Sequence, residues 1–249
     1  MDGAVLILLA ALAAMLYASV GHGGASAYLA LLSLAGFARD EMVPTALALN
    51  ILVATLGAAH YARAGHFDGR LLLPFIFASI PAAYLGGTVT VSEDVFSLLL
   101  GLALLIAALR FLMPIPSVVA VREISNGRLW GVGLPSGFIL GFLSGLIGIG
   151  GGIFLSPMLL LTRWADVKKT AAVSACFIAL NSVAGLAGHF QRGVPERAFS
   201  LTLSLGVAVL AGGTLGAYWG AFRLAHATLQ RVLGIVLLIA AAKMLKTAF

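Results

Sequence analysis

An apolar stretch of the chain is interrupted by four glycines within five residues, and this interruption constrains the fold more than any other feature. The glycines are Gly148, Gly150, Gly151 and Gly152, and Pro157 follows them. A glycine inside a helix costs about 1 kcal/mol relative to alanine, so four of them together predict a break. Within a bilayer, a broken backbone is tolerated only where it is buried in protein or lines a cavity. The stretch therefore predicts a binding site at an interrupted membrane helix.

The composition places the chain in a membrane. Hydrophobic residues make up 61% of it, charged residues make up 10%, and the mean hydropathy is +1.08. Several apolar runs approach or exceed the roughly 20 residues that cross a bilayer, which predicts an all-α polytopic membrane protein. The net charge is +6, but the basic residues lie in short loops, as cytoplasmic loop charge does, and this argues against a nucleic-acid partner. The single cysteine, Cys176, leaves no internal disulfide or cysteine-based metal site, and we expect no metal and no cofactor.

The N-terminal apolar segment, residues 3–37, is also broken. As one straight helix it would extend about 52 Å, whereas the bilayer core is about 30 Å thick. Gly21, His22, Gly23 and Gly24 interrupt it and leave two pieces, near residues 3–19 and 25–37. We therefore expect a hairpin of two short helices whose elbow lies within the membrane.

The remaining apolar runs complete two membrane repeats. The first repeat (residues 1–112) adds three spans after its broken segment, at 43–61, 71–91 and 93–112. Residues 113–130 change in character, with two prolines and several polar or charged residues, and are predicted to be a cytoplasmic linker. The second repeat (residues 131–249) has its own hairpin of two short helices, broken by glycines, at 131–161 and three spans at 170–188, 199–222 and 229–245.

The two halves also resemble each other in sequence. Three pairs of stretches correspond at offsets between 126 and 133: Gly-X-Gly-Gly at 21–24 and 148–151, Gly-Gly-Thr at 86–88 and 212–214, and the runs at 101–110 and 234–243. Such a regular offset indicates an internal duplication.

Charge counting predicts that the repeats are inverted. If each broken segment enters and leaves on one side, the halves have opposite orientations. Ten of the fifteen basic residues then share one side, and six of the nine acidic residues lie on the other. If each broken segment crosses once, the halves are parallel and the basic residues divide nine to six. The positive-inside rule favours the inverted model, with both termini outside the cytoplasm. The basic side comprises Arg63, Arg70, Arg110, Arg122, Arg128, Arg163, Lys168, Lys169, Arg223 and Arg231.

The ionisable residues favour an anionic ligand. No Asp or Glu is expected to be buried within the predicted spans, since Glu93 and Asp94 only cap the start of the last span of the first repeat. The ionisable side chain expected at membrane depth is His22, which makes it a functional candidate. An anion can be held by backbone N–H groups at helix N-termini, where the dipole supplies about half a positive charge. Helices are expected to begin near Ala25 and Gly152, and inverted repeats would bring these two N-termini together. Two simpler alternatives stay open: a neutral histidine in a tight turn, and glycines that only permit close packing.

Hydroxyl and amide side chains extend the candidate site. Asn50 and Asn181 follow the two broken segments, where structural and substrate roles are equally plausible, and Ser26 and Ser156 follow the breaks. His60 and His189 are expected at the membrane interface. The candidate binding residues are Gly21, His22, Gly23, Gly24, Ser26, Asn50, Gly148, Gly150, Gly151, Gly152, Ser156 and Asn181.

These motifs resemble a known family. Two glycine-rich motifs in a duplicated chain, the second running from Gly148 through Ser156 to Pro157, look like the sulfite exporter TauE/SafE family. In the first motif, Ala25 and Ala30 stand where the second has Gly152 and Pro157. The resemblance implies transport of sulfur-containing anions such as sulfite, sulfonates or sulfoacetate across the bacterial cytoplasmic membrane. The expected partners are a small anionic substrate and the lipid bilayer, and a homo-oligomer stays open.

Two rival functions remain at this stage. Ser144 precedes the second break and His189 lies on a later span, which is similar to the Ser–His dyad of an intramembrane protease. Rhomboid-type proteases carry Gly-X-Ser-Gly, however, and here Phe142 occupies the first position. The predicted topology also places His189 near the far surface, away from Ser144. A purely structural membrane protein is the other alternative, and we expect no enzymatic activity.

Overall fold

The computed structural model describes residues 2–113, 121–222 and 227–248. Within these ranges the chain forms ten α-helices and no β-strand, so the all-α prediction is confirmed. The helices are α1 (Gly3–Ala18), α2 (Ala25–Leu34), α3 (Arg39–Arg63), α4 (Gly69–Thr88), α5 (Glu93–Leu112), α6 (Asn126–Ile147), α7 (Gly152–Leu161), α8 (Val167–Phe190), α9 (Glu196–Phe222) and α10 (Ala227–Thr247).

Five of the described helices are long and apolar enough to cross a membrane: α3, α4, α6, α8 and α9. Polar side chains just before some of these helices cap their N-termini. Asp68 accepts a hydrogen bond from the Leu71 N–H at 3.2 Å, and Asp166 accepts one from the Lys169 N–H at 2.9 Å. Each carboxylate thereby caps the first turn of its helix. Large apolar side chains such as Phe77 stay exposed on the outside of the bundle, as a lipid environment requires.

The second broken segment differs from its expected form. We predicted two short helices, but α6 has 22 residues and only α7, with ten, is short. At 1.5 Å per residue α6 extends about 33 Å, enough to cross the bilayer core. It begins at Asn126, so residues 126–130 of the predicted linker are helical. Residues 114–120 of that linker lie outside the described part of the chain.

Each broken segment packs against a span of the other half of the chain. Glycines on α9 allow α1 to approach so closely that an added Cβ would lie 2.0–2.1 Å from an α1 carbonyl oxygen, at Gly212, Gly216 and Gly220. Glycines on α6 allow the same approach to α4, with an added Cβ 1.9–2.6 Å from an α4 atom, at Gly133, Gly137, Gly141 and Gly145. Small residues are what close packing of membrane helices requires, so much of the chain's glycine is explained by packing.

The two broken segments open at opposite ends of the bundle. The backbone N–H of Arg122, before α6, donates to the carbonyl of Arg163, after α7, at 2.8 Å, so the second segment starts and ends together. This opening lies near the end of α9, because Lys168 at the start of α8 donates to the Gly220 carbonyl. The first segment starts beside the beginning of α9, because α1 runs parallel to α9. It also ends there, because α2 leads into α3, whose Glu41 accepts from Arg197 of α9 at 3.2 Å. These contacts are those expected of inverted repeats, and the inverted relation itself stays a prediction. Arg223, which entered the charge count, lies outside the described residues.

Candidate functional site

The two breaks are non-helical segments at which glycine is required. Gly21 and Gly24 in the first break have φ of +76° and +99°, and Gly148, Gly150 and Gly151 in the second have φ between +74° and +81°. Residues with a side chain rarely adopt this left-handed conformation. The helices that follow begin at Ala25 and Gly152, as predicted. Their capping residues are glycines, so neither helix is capped at its N-terminus by its own capping side chain.

Asn50 of α3 joins the two breaks. Its Oδ1 accepts a hydrogen bond from the backbone N–H of Ala25 at 3.1 Å, and its Nδ2 donates to Ser182 Oγ on α8 at 2.8 Å. A Cβ added at Gly23 would lie 1.9 Å from the Asn50 Oδ1, and one at Gly150 would lie 2.3 Å from its Nδ2. The amide of Asn50 is therefore held between the first break and the second.

His22 connects the first break to α7 and α8. Its Nε2 lies 3.2 Å from Ser156 Oγ on α7, and Ser156 Oγ donates to Ser174 Oγ on α8 at 2.8 Å. The other ring nitrogen, Nδ1, lies 3.1 Å from the Val20 carbonyl oxygen. The side chain of His22 is buried. A polar chain of one imidazole and two hydroxyls thus crosses from one half of the protein to the other.

Two tyrosines that the sequence analysis missed complete the first break. The Tyr17 hydroxyl lies 2.6 Å from Ser26 Oγ, and the Tyr28 hydroxyl donates to the Gly23 carbonyl at 3.0 Å. Both tyrosines are 1% exposed, so their hydroxyls need partners inside the protein. The signal in the sequence was a tyrosine within one helical turn on either side of a glycine break.

A small cavity lies where these groups meet. It is lined by both breaks and their neighbours: Tyr17, His22, Gly23, Gly24, Ala25, Ser26, Asn50, Ile149, Ile153 and Ile178. Its volume is about 10 Å³. That is about the space of a single water molecule, so the site is closed in this conformation. None of these lining residues carries a carboxylate.

The remaining glycines of the second break face apolar neighbours. A Cβ added at Gly148 would lie 2.7 Å from Val43 Cγ1, and one at Gly152 would lie 2.2 Å from Ile178 Cδ1. At Gly151 it would lie 2.9 Å from an edge atom of Phe177. The second break is therefore pressed against α3 and α8.

Asn181 lies away from this cavity. Its Nδ2 donates to the Phe177 carbonyl one turn earlier on α8, at 2.8 Å. Its Oδ1 is buried and has no hydrogen-bond partner within the described residues. Of the predicted site residues, His22, Gly23, Gly24, Ser26 and Asn50 line the cavity. Ser156 joins them through its contact with His22, and the second break contributes Ile149. The remaining predicted residues lie outside the lining: Gly21, Gly148, Gly150, Gly151, Gly152 and Asn181.

The expectation that His189 lies far from Ser144 is wrong. The Nε2 of His189 lies 3.0 Å from the Gly145 carbonyl oxygen, because α6 is long enough to carry Gly145 to the end of α8. The ring is buried and bonded to this backbone oxygen. The Ser144 hydroxyl is buried without a hydrogen-bond partner among the described residues. The serine and the histidine therefore do not form the hydrogen-bonded dyad that a serine hydrolase uses.

Comparison with known proteins places this architecture in a family. The family model for the sulfite exporter TauE/SafE matches residues 6–244. A probable membrane transporter protein of Sinorhizobium fredii is 36% identical over 233 residues, which cover 93% of this chain and 94% of the relative. A probable membrane transporter protein of Bacillus subtilis is 37% identical over 86 residues, 34% of this chain and 31% of the relative. One of Methanocaldococcus jannaschii is 47% identical over 53 residues, 21% of this chain and 20% of the relative.

No solved structure gives a significant match to the chain. The family model, however, covers almost all of it, including both glycine breaks and the spans between them. The relative from Sinorhizobium fredii matches over nearly its whole length and is named as a membrane transporter. The chain is therefore an integral membrane protein of transporter type and belongs to the sulfite exporter TauE/SafE family.

Proposed function

We propose that the protein exports small sulfur-containing anions, such as sulfite, sulfonates or sulfoacetate, and binds them where the two glycine breaks meet. The observation that carries this proposal is the contact of both breaks with the amide of Asn50. A ligand at this point would meet the N-terminal turns of α2 and α7, whose dipoles favour negative charge. His22 and the hydroxyls of Ser26 and Ser156 would add hydrogen-bond donors to its oxygens.

The absence of carboxylates from the described lining supports an anion over a cation. A cation carrier needs acidic groups or exposed carbonyls where the ion sits. Here the helices present their N-termini, and the side chains nearest the breaks are an amide, an imidazole and hydroxyls. These groups can donate to the several oxygens of sulfite or a sulfonate.

Alternating access accounts for the closed cavity. A volume of about 10 Å³ admits no sulfur anion, so the breaks have to separate before the ligand enters. The two broken segments open at opposite ends of the bundle. Inverted repeats of this kind allow the same site to open first to one side and then to the other.

The charge distribution supports an orientation and a direction. The end of the bundle that carries Arg63, Arg70 and Lys168 is proposed to face the cytoplasm of a bacterial cytoplasmic membrane, which leaves both termini outside. With the cytoplasm negative, an anion that leaves gains about 2.3 kcal/mol per charge per 100 mV. Export therefore needs no coupling carboxylate.

The test is sulfite flux in proteoliposomes that contain the purified protein. Asn50→Ala removes the amide between the breaks and is expected to lower the flux by about tenfold or more. That factor corresponds to the free energy of one lost hydrogen bond to a charged group. Ser79→Ala is the matched control, because Ser79 is also buried but lies on α4 away from the cavity lining. If wild-type protein moves neither sulfite, thiosulfate nor sulfoacetate, the function is wrong. If Asn50→Ala folds and transports like Ser79→Ala, the proposed site is wrong.

A further inference from the structure

A large polar vestibule lies at the end of the bundle where α3 begins and α8 ends. Its volume is about 590 Å³, far larger than the closed cavity between the breaks. Two arginines, a histidine and two acidic residues line it together with Pro44: Arg39, Arg192, His189, Asp40 and Glu93. None of the residues that line the vestibule also lines the cavity between the breaks.

One edge of the Arg39 guanidinium group is buried and makes no hydrogen bond within the described residues. Its Nη1 donates to the Val91 carbonyl at 2.8 Å, and its central carbon lies 4.4 Å from the ring centre of Phe96. These two contacts hold the guanidinium group in place. Its Nε and Nη2 atoms are buried and have no hydrogen-bond partner among the described residues. These two nitrogens form the edge with which arginine binds an oxyanion through two parallel hydrogen bonds. A buried charged donor without a partner is costly, and pairing this edge with an anion would remove that cost.

The second arginine lies in the same vestibule without a close acidic partner. Arg192 donates to the Val89 carbonyl at 3.1 Å. Within the described residues, the ion pairs closer than 4.0 Å join Lys169 to Asp68 and Arg197 to Glu41. The carboxylates of Asp40 and Glu93 therefore do not neutralise either vestibule arginine at contact distance. In the proposed orientation this end is the basic-poor side, so the positive-inside rule does not account for the pair.

The vestibule lies next to the second break. Pro44 lines the vestibule, and its neighbour Val43 packs against Gly148 of the break, 2.7 Å from an added Cβ. His189 also lines the vestibule and is hydrogen-bonded to Gly145, three residues before Gly148. The vestibule therefore adjoins the second break at this end of the bundle.

We infer that this vestibule is a second anion-binding site, in which Arg39 and Arg192 hold the oxyanion at the non-cytoplasmic end of its path, and the buried Nε–Nη2 edge of Arg39 turns into the vestibule to pair with it. The inference rests on the proposed function for the identity of the anion. Its geometry is independent of the breaks, because it uses other residues.

The first test compares two arginines at the same end of the bundle. Arg39→Gln keeps a polar side chain but removes the charge and the paired N–H edge. It is expected to raise the sulfite concentration at half-maximal flux into proteoliposomes by about tenfold or more, as the loss of a charge-assisted pair of hydrogen bonds predicts. Arg197→Gln is the control, because Arg197 is exposed, paired with Glu41 and absent from the vestibule lining. It is expected to change that concentration less than twofold. Equal half-maximal concentrations for the two variants would overturn the inference.

The second test needs no transport. Thr90 lines the vestibule and is exposed, and the chain contains a single cysteine. In a Cys176→Ala background, Thr90→Cys is expected to react with a membrane-impermeant maleimide, and sulfoacetate is expected to slow that reaction in purified protein. Adding Arg39→Gln, or Arg192→Gln if the first variant does not fold, is expected to remove the protection.

The two tests separate the vestibule from the proposed function. If the wild-type protein transports no sulfur anion but sulfoacetate still protects Thr90→Cys, the vestibule stands and the proposed function fails. If sulfite is transported but sulfoacetate does not slow the labelling of Thr90→Cys, the vestibule fails and the function stands.

Discussion

Gly150→Ala is the substitution that most directly probes how the breaks are held together. The new methyl group would lie 2.3 Å from Asn50 Nδ2, whereas non-bonded heavy atoms in contact are about 3.5–4.0 Å apart. The amide would have to move by more than about 1 Å, which breaks its 2.8 Å hydrogen bond to Ser182. Leaving such buried groups without a partner costs about 1–3 kcal/mol. The left-handed backbone at φ +76° adds about 1–2 kcal/mol for any residue with a Cβ.

Gly36→Ala isolates the backbone contribution. Gly36 has φ +84°, and an added Cβ would meet nothing within 4 Å. It should therefore lose only the backbone term of about 1–2 kcal/mol. The difference between the two variants then comes from the contacts of the new methyl group, the closest with Asn50 and the next with Ile178 Cγ2 at 2.9 Å, and is about 1–3 kcal/mol.

Thermal unfolding of the purified variants measures that difference. For a chain of about 250 residues, 1 kcal/mol corresponds to roughly 2–4 °C, so Gly150→Ala should unfold roughly 2–12 °C below Gly36→Ala. It should also lose sulfite flux, which Gly36→Ala should keep. Equal unfolding temperatures for the two variants would refute the argument that Asn50 fills the space beside Gly150.

Other variants test the site, the packing and the energetics. His22→Ala should slow sulfite flux in proteoliposomes and Gly151→Leu should abolish it; wild-type rates in both folded variants would disprove the role of the breaks. Gly145→Ala should lower the unfolding temperature, since its Cβ would lie 1.9 Å from an α4 carbonyl oxygen, whereas Gly131→Ala meets nothing within 4 Å and should not; equal shifts would contradict this. An interior-negative potential of about 100 mV should speed sulfite efflux from vesicles, by up to the roughly 50-fold that 2.3 kcal/mol per charge represents, and an unchanged efflux rate would exclude passive export of a charged anion.

The local features of the fold were predictable because they depend on short stretches of sequence. The starts of α2 at Ala25 and α7 at Gly152 follow directly from the glycines before them, whose positive φ ends one helix and begins the next. The spans follow from the length of the apolar runs. The position and the type of each interruption could therefore be predicted from the local sequence alone.

The contacts between the halves were not predictable in the same way. Asn50 and Ser182 are 132 residues apart, and nothing in either neighbourhood indicates that they meet. The length of α6 was underestimated because residues 126–130 were assigned to the linker, whereas they form its first turn. That longer helix in turn carries Gly145 to His189, a contact that the predicted topology excluded.

The two asparagines that correspond in the repeats have different partners, and this difference bears on how the site works. Asn50 caps the first N–H of α2 with its Oδ1, whereas Asn181 turns its Nδ2 to its own helix and leaves its Oδ1 buried without a partner in the described residues. An identical pair of repeats in a symmetric state would give both asparagines the same contacts. Under the proposed alternating access, the two repeats exchange roles between the inward-open and the outward-open state, so each open state is asymmetric. We propose that the engaged Asn50 and the disengaged Asn181 reflect this exchange of roles, and that Asn181 contacts α7 in the opposite state.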